Sequence, residues 1–430
     1  MPELIMRSLP MVLRPDPSRT VLRPFHPEDP PAFAVKGHPR AERIIQRVLS
    51  LDDARVATAI DTIIKPIRAR HGYADEVLLS RYDQITKLTD ARGVSRDRAL
   101  LIGACFTEEF AFEAAALFNP SIVAHPDQSG LEADTVRFLM SLRGIGEGHV
   151  SSVTFRVGRW NINGSITIDL PGRHGVAPRT VALESENPVE GVAELDFRHV
   201  EMSEPVLFPV LPSQARGIED LRLVRFIEED GSASYVGTYT AFDGYKVRQE
   251  LLRASENLRS VQMRSLRGDH MDTKGMALFP RRIDGQYLAV GRQDNENIWL
   301  RHSDDLISWR EGPKILVPRS EWEIVQIGNC GSPLELDEGW LLLTHGVGLV
   351  RNYCIGAALL DKSNPTKVLA RTSVPLLWPQ KDVRGGYVPN VVYSCGGLVH
   401  NGVLLLPYGV ADLFTAFATV PIADLLGAMN

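Results

Sequence analysis

The chain has 430 residues, of which 44% are hydrophobic and 23% charged, the balance of a soluble globular protein. A net charge of −6 and a pI near 6.0 argue against a nucleic-acid surface, and no stretch reaches the apolar length that spans a bilayer. Cys105, Cys330, Cys354 and Cys395 are scattered without a CxxC, which disfavours a disulfide frame or zinc knuckle.

The first segment, Met1-Pro-Glu-Leu-Ile-Met-Arg7, lacks the basic start, long apolar core and cleavage site of a signal peptide, so a cytoplasmic location is expected. Residues 1 to about 36 read as extended, with Pro15, Pro17, Pro24, Pro27, Pro30 and Pro31 blocking regular structure. A helix follows: Val56, Ile60, Ile63, Ile64 and Ile67 recur at helical spacing behind Asp52 and Asp53, which can cap it, and Pro66 should bend or end it. A second helix is predicted from Ser95, with Asp97 in its first turn, through Leu100, Ala104 and Phe106 towards Leu117, where Asn119-Pro120 closes it. From there the pattern is strands and tight turns, up to a short final helix near Ile422 to Leu426. Two parts are expected: an N-terminal extension over 1–117, helical from about 37, and a β part over 118–430. The helical part carries apolar faces and no acid, base or cation set, which points to packing or homo-oligomer contacts.

The β part repeats a two-strand phrase five times. Asn119-Pro-Ser-Ile-Val leads to Phe138-Leu-Met-Ser-Leu-Arg143, and Asp220-Leu-Arg-Leu-Val leads to Tyr235-Val-Gly-Thr-Tyr239. Further copies run from Ala277 to Tyr287-Leu-Ala-Val, from Ser332 to Trp340-Leu-Leu-Leu-Thr-His345, and from Asn390-Val-Val-Tyr to Gly402-Val-Leu-Leu-Leu-Pro-Tyr408. Several contain an Asp-Gly, Glu-Gly or Asn-Gly turn between short strands, the signature of a hairpin. Asp220, Phe279, Pro333 and Asn390 sit 54 to 59 residues apart, the length of a four-stranded blade with its loops. The expected fold is an all-β five-bladed β-propeller with a central polar pocket and an N-terminal α-helical extension.

Gly217-Ile-Glu-Asp220-Leu-Arg-Leu places adjacent carboxylates at the start of a strand. Alternation sends Glu219 and Asp220 to opposite faces, so only one easily faces a pocket, and on spacing alone a turn carboxylate bonding backbone amides is the favoured reading. Arg143, Lys274 and His345 fall at or beside the inner ends of three different blades. Three cations converging on one axis repel each other unless an anion joins them, and phosphate takes Arg bidentately and Lys as a point charge. Gly144-Ile-Gly-Glu-Gly148 lacks dinucleotide spacing and leads into a strand. His270-Met-Asp272 offers two metal ligands without a third, and no nucleophile-elbow sequence is present, so no metal or organic cofactor is expected.

Gly217-Ile-Glu-Asp-Leu-Arg222 resembles the Gly-x-Glu-Asp-Pro-Arg signature of glycoside hydrolase family 130, the β-mannoside phosphorylases and related β-mannosidases, with Leu221 in place of the usual Pro. The resemblance extends over about 118–430. It includes Phe118-Asn-Pro-Ser, Leu142-Arg143, Tyr239-Thr-Ala-Phe-Asp243-Gly, Lys274-Gly-Met-Ala-Leu-Phe-Pro280, Asn297-Ile-Trp-Leu, Ser303-Asp-Asp-Leu-Ile-Ser-Trp309, Gly339-Trp-Leu-Leu-Leu-Thr-His345-Gly and Tyr408-Gly-Val-Ala-Asp412. That family folds as a five-bladed propeller. Members acting on β-1,2-linked mannosides also carry a helical N-terminal extension similar to residues 37–117.

The resemblance implies roles. Asp220 is the general acid, acting on the leaving oxygen through the C3 hydroxyl of the mannose, and Arg143, Lys274 and His345 hold inorganic phosphate as co-substrate. Asn119, Asp243 and Asp412 contact sugar, with Arg292 and Asn297 on a neighbouring blade, and Tyr239 bonds to or stacks on the acceptor. The expected activity is inverting phosphorolysis of β-mannosides, β-1,2-linked manno-oligosaccharides foremost, giving α-mannose 1-phosphate. The alternatives are a β-mannosidase, in which a second carboxylate activates water, or a non-catalytic glycan-binding propeller.

Overall fold

The structure is a computed structural model that describes residues 6–27, 39–86, 93–172, 174–184, 191–197, 200–379 and 386–430. The chain divides into two compact units, one of Met1–Pro17, Phe112–Gly172 and Pro178–Asn430, the other of Ser18–Ala111 with Arg173–Ala177. No helix among the described residues is long and apolar enough to cross a membrane.

The larger unit is all-β apart from short helices. Its strands form successive antiparallel sets, and the five sequence repeats coincide with five of them. The first set is Ala116–Ala124, Thr135–Ile145 and Ser151–Asn161 in order, with Ile166–Ile168 on the outer edge. The second runs Gly217–Ile227, Ala233–Phe242, Val247–Ala254 and Ser260–Ser265, and joins the first through one parallel pairing, Gly217 with Ser151. The third holds Ala277–Leu278, Tyr287–Gly291, Ile298–Ser303 and Ser308–Leu316. Gln326–Asn329, Trp340–Val347, Tyr353–Leu360 and Val368–Arg371 make the fourth.

The fifth set contains Val392–Tyr393, Val403–Val410 and Phe414–Pro421, completed by Arg7–Leu13 from the other end of the chain. This strand corrects the expectation that prolines keep residues 1–36 irregular. Pro10 falls where the pairing with Phe414–Pro421 shifts register between Ser8 and Val12, and an edge strand with a bulge tolerates a residue that donates no hydrogen bond. Thr20–Pro24 in the second unit also pairs, with Thr107–Ala111. Pro30 and Pro31 lie outside the described residues.

Apolar faces meet between consecutive sets. Phe226, Val236 and Leu251 of the second pack with Leu278, Tyr287 and Trp309 of the third. Val290, Ile298 and Leu300 pack with Trp340, Leu342 and Leu360, and Leu341, Leu343 and Ile355 pack with Leu404, Leu406 and Ala418. Leu405 and Phe417 of the fifth set join Leu117, Phe138 and Trp160 of the first. A buried ion pair, Arg156 with Glu113 at 2.6 Å, ties the first set to the segment that enters it.

In the second unit the helices Arg40–Leu49, Asp53–Ala59, Lys65–Arg70, Ala74–Thr86 and Arg96–Cys105 enclose Ile45, Ile64, Leu78, Leu100 and Phe106. Asp52 caps its helix as expected, accepting a bond from the Arg55 amide. Pro66 sits just inside a helix that follows a π-helical turn, Ile60–Ile64, so the helical run continues where a bend or an end was expected; widening the turn lets a residue without an N–H enter the helix. The Ser95-capped helix ends at Cys105, not near Leu117, because Thr107–Ala111 leaves it to pair as a strand. Asn119-Pro120 accordingly closes no helix; it lies inside the strand Ala116–Ala124.

Close approach at Gly237 shapes the strand that carries the Glu-Asp signature. A Cβ there would sit 2.8 Å from the Arg222 carbonyl oxygen and 2.9 Å from Leu221 Cδ1, so the buried Leu221 fills the space the glycine leaves. Gly237→Ala is therefore expected to cost about 1–3 kcal/mol, the range for overpacking. A thermal melt unchanged from that of the parent protein would show that this contact does not constrain the strand.

Candidate active site

The Glu-Asp signature departs from strand alternation. Asp220 adopts φ 54, and the pairing of its strand with Ala233–Phe242 shifts register between Glu219 and Arg222. Opposite it, Asn119 adopts φ 48 within a register shift between Phe118 and Ser121. Each shift is a bulge that turns a polar side chain out of the alternating pattern. The two residues meet, with the Asn119 side-chain amide donating to Asp220 Oδ1 at 2.8 Å. Ser121 Oγ accepts from the Leu223 amide at 3.0 Å and fixes the strands beside them.

Both carboxylates consequently face one guanidinium, which corrects the expectation that only one reaches the pocket. Arg143 donates to Glu219 Oε1 at 2.8 Å, approaches Asp220 Oδ1 at 3.4 Å, and is held by its Nε on Ser151 Oγ at 2.8 Å. Lys274 Nζ reaches the second Glu219 oxygen at 2.7 Å. Glu219 thus supplies the anion between the two cations, a part that the sequence argument had left to phosphate alone. Arg222, fully buried, donates to the Asp220 carbonyl at 2.9 Å, the Cys330 carbonyl at 2.9 Å and the Tyr393 hydroxyl at 2.7 Å.

Arg292 and His345 adjoin this cluster. A Cβ at Gly275, next to Lys274, would meet Arg292 Nε at 3.1 Å, and one at Gly328 would meet Arg292 Cδ and His345 Cε1, both at 2.5 Å. Asn329 Nδ2 donates to the Gly275 carbonyl at 2.7 Å. The Arg292 side chain makes no hydrogen bond among the described residues, and its Nε is buried, as are both His345 ring nitrogens, which have no partner of normal geometry. Unsatisfied buried donors are costly unless a ligand completes them.

His345 is not the third cation. Its ring is fully buried, 4.8 Å from the Tyr393 ring centroid, and burial together with Arg292 and Arg222 holds its pKa well below the ordinary value. It is neutral at physiological pH, able to donate one hydrogen bond but not to balance an anion.

The carboxyls are pushed apart. Burial would raise Asp220, but Arg143, Arg222, the Asn119 bond and Lys274 outweigh it and hold the carboxyl below its usual range. Asp412 goes the other way, up to about 6, first through burial and then through the negative charge of Asp220 and Glu219, with Arg143 opposing. It sits at φ 51, beside Ala411 at φ 52, in the tight turn between the last two strands. Leu413 donates to the Val410 carbonyl at 3.0 Å across that turn and accepts from the Leu117 amide at 2.9 Å, which sets the turn beside Phe118 and Asn119.

Three expected sugar contacts have other work. Tyr239 is 1% exposed, with its hydroxyl between Glu250 Oε2 at 2.7 Å and Gln214 Nε2 at 2.8 Å, leaving no ring face for an acceptor; this overturns the stacking role. Asp243 accepts from the amides of Tyr245 and Lys246, both at 2.7 Å, and closes its turn. Asn297 Nδ2 is tied to Asp294 at 2.6 Å. Glu219, Arg222 and Ser151 were missed. The first two stand inside the signature itself, and their charge beside Asp220 was the available signal.

A family model described as beta-1,4-mannooligosaccharide phosphorylase matches residues 179–430. The chain belongs to glycoside hydrolase family 130. It is 34% identical over 241 residues to the 1,2-beta-oligomannan phosphorylase of Thermoanaerobacter sp. (strain X514), covering 54% of this chain and 78% of that protein. The beta-1,2-mannobiose phosphorylase of Listeria innocua is 32% identical over 243 residues, 54% of this chain and 65% of its own length. The solved Listeria innocua enzyme in complex with β-1,2-mannobiose superposes with a TM-score of 0.53 at 22% identity, over 74% of this chain and 92% of that one, and so shares the fold. As a family 130 chain, the protein keeps the signature carboxylate while placing Leu221 where Pro is usual, and the bulge at Asp220 forms with the leucine in place.

Asp412 yields a pH test. Its carboxyl is raised above the ordinary 3.8 to about 6, so the folded state favours the protonated form. The penalty is absent below pH 3.8, grows as pH rises through 6, and is complete above. Asp412→Asn is expected to melt with the parent protein near pH 4 but to be more stable at pH 7.5, by on the order of 2 kcal/mol. Greater loss of stability at pH 7.5 than at pH 4 would refute this environment.

Proposed function

We propose that the chain is an inverting β-mannoside phosphorylase that cleaves β-1,2-linked manno-oligosaccharides to α-mannose 1-phosphate, on a five-bladed propeller whose blades are the five strand sets. The shared cores between consecutive sets, including the fifth with the first, support the propeller. The observation that carries the activity is the basic pair Arg143 and Lys274 closed on a carboxylate one residue from Asp220, with Arg292, whose buried Nε lacks a partner among the described residues, and His345 alongside. The names of the similar enzymes favour the β-1,2 linkage.

Phosphate enters where Glu219 now balances charge. Lys274 has two further N–H donors and a side chain 41% exposed, Arg292 has a free guanidinium, and neutral His345 adds one donor. The phosphate oxygen attacks the anomeric carbon from the face opposite the departing sugar. The glycosidic C–O bond breaks, and its oxygen takes the Asp220 proton through the C3 hydroxyl of the mannose. In the free site Asp220 is ionised. An arriving phosphate adds negative charge and draws Arg143 and Lys274 away, and both effects raise the Asp220 pKa. Binding of the nucleophile therefore loads the acid.

Hydrolysis needs a carboxylate base free to activate water. Glu219 is committed to two ion pairs at 2.8 and 2.7 Å and is poorly suited to that role.

The expectation is absolute dependence of cleavage on inorganic phosphate, with α-mannose 1-phosphate as product. Free mannose released equally fast in phosphate-free buffer would establish a hydrolase instead. Asp220→Asn should fold normally and lose about a hundred- to ten-thousand-fold in turnover. Lys274→Ala should raise the phosphate KM far more than the sugar KM, since a charge-assisted contact contributes about 1.5–3 kcal/mol. Equal effects on both KM values would remove Lys274 from the phosphate site.

A further inference from the structure

Tyr387 is 77% exposed yet anchored on both sides of the site. On one side its neighbours lie on the Asp412 turn: the Val388 amide donates to the Ala411 carbonyl at 3.2 Å, and a Cβ at Gly386 would fall 2.2 Å from that same oxygen. On the other its ring stands 5.9 Å from the ring of His149 at an interplanar angle of 38°. His149, at φ 57, belongs to the connection between Thr135–Ile145, the strand bearing Arg143, and Ser151–Asn161, whose first residue holds Arg143 Nε. Ser151 also donates to the Ile218 carbonyl at 2.8 Å, next to Glu219. The exposed ring thus bridges the two turns that flank the carboxylate cluster, while its recorded contacts include none with Lys274, Arg292 or His345.

We propose that Tyr387, braced by His149, is the platform for the sugar on the leaving side of the scissile bond, a specificity residue for the acceptor saccharide. This rests on the phosphorolytic reading of the site. The face of an aromatic ring offers nothing to a phosphate, but a β-mannopyranoside presents axial hydrogens at C1, C3 and C5 on one side, an apolar patch suited to a ring face. In-line displacement puts nucleophile and leaving group on opposite sides of the reacting mannose. With phosphate on Lys274, Arg292 and His345 and Arg143 turned towards it, the leaving saccharide extends towards the Asp412 and His149 rim, where Tyr387 stands. Tyr239, the aromatic residue expected from sequence to meet the acceptor, is buried and leaves this role open.

The test runs the reaction in the synthetic direction, from α-mannose 1-phosphate and a β-1,2-manno-oligosaccharide acceptor, following phosphate release. Tyr387→Ala should raise the acceptor KM roughly three- to tenfold, the span expected for loss of an aromatic contact. Tyr387→Phe should stay within about twofold of the parent, and the KM for α-mannose 1-phosphate should be unchanged in both variants. An unchanged acceptor KM in Tyr387→Ala, or an equal rise for both substrates, overturns the proposal. If the parent protein releases no phosphate at all, the phosphorolytic reading has failed. Calorimetric titration with β-1,2-mannobiose then decides on Tyr387 alone: weaker binding by Tyr387→Ala sustains the platform, and equal binding overturns it.

Discussion

The site depends on one largely buried guanidinium. Arg143 is held at its Nε by Ser151 and faces Glu219 and Asp220 with its remaining nitrogens. A guanidinium taken out of water is costly unless every nitrogen finds an acceptor. That demand explains the backbone around it. Strand alternation would hide one carboxylate, and the bulge at Asp220 turns it back at the expense of a left-handed residue. Asn119 repeats the device on the neighbouring inner strand and supplies the bond that orients Asp220. Arg222 then locks the bulge from behind by bonding the Asp220 carbonyl.

The same charges divide the acids. Asp220 lies within reach of Arg143, Arg222 and Lys274 and is held down, while Asp412 is raised to about 6 first by burial and then by the carboxylates, against Arg143. Acid and base assignments usually follow such divergence. Taken alone it would name Asp412 as the proton carrier, because Asp220 is ionised in the free site. The proposed assignment to Asp220 is compatible with this divergence, because two of the cations that hold it down, Arg143 and Lys274, are those a phosphate would engage.

Much of this was legible in the sequence, for identifiable reasons. The repeats were readable because each inner strand is an apolar run bounded by turn residues, as in Trp340-Leu-Leu-Leu-Thr-His345, and strand pairing follows that pattern directly. Arg143 and Lys274 were picked out because they fall near the blade ends in the repeat register, and Asp220 and Asn119 through the resemblance of their motifs to the family; the structure brings the four side chains close together. His345 was misjudged as a cation because residue type carries no information on burial, and burial decides its protonation. Tyr239 was misjudged for a similar reason: Gln214 and Glu250, which take its hydroxyl, come from a preceding loop and the adjacent strand. The strand Arg7–Leu13 was invisible because its partner, Phe414–Pro421, lies at the far end of the chain.

Backbone strain is confined to turns and bulges, those of the site among them. Non-glycine residues with positive φ cost about 1–3 kcal/mol each where the surroundings must over-determine them. Such residues recur in turns throughout the larger unit, Leu258, Leu306 and Val350 among them, and at the site they are Asn119, Asp220 and Asp412 around Arg143, with His149 on the turn next to them. Glycine at any of these positions would relieve the backbone, but it would delete the carboxylate, the amide or the ring that the position presents. The strands between them, such as Trp340–Val347 and Val403–Val410, are regular and apolar and carry the packing. Stability in the strands offsets strain in the turns, so the chemistry of the site can diverge by changing a few turn residues while the sheets stay as they are.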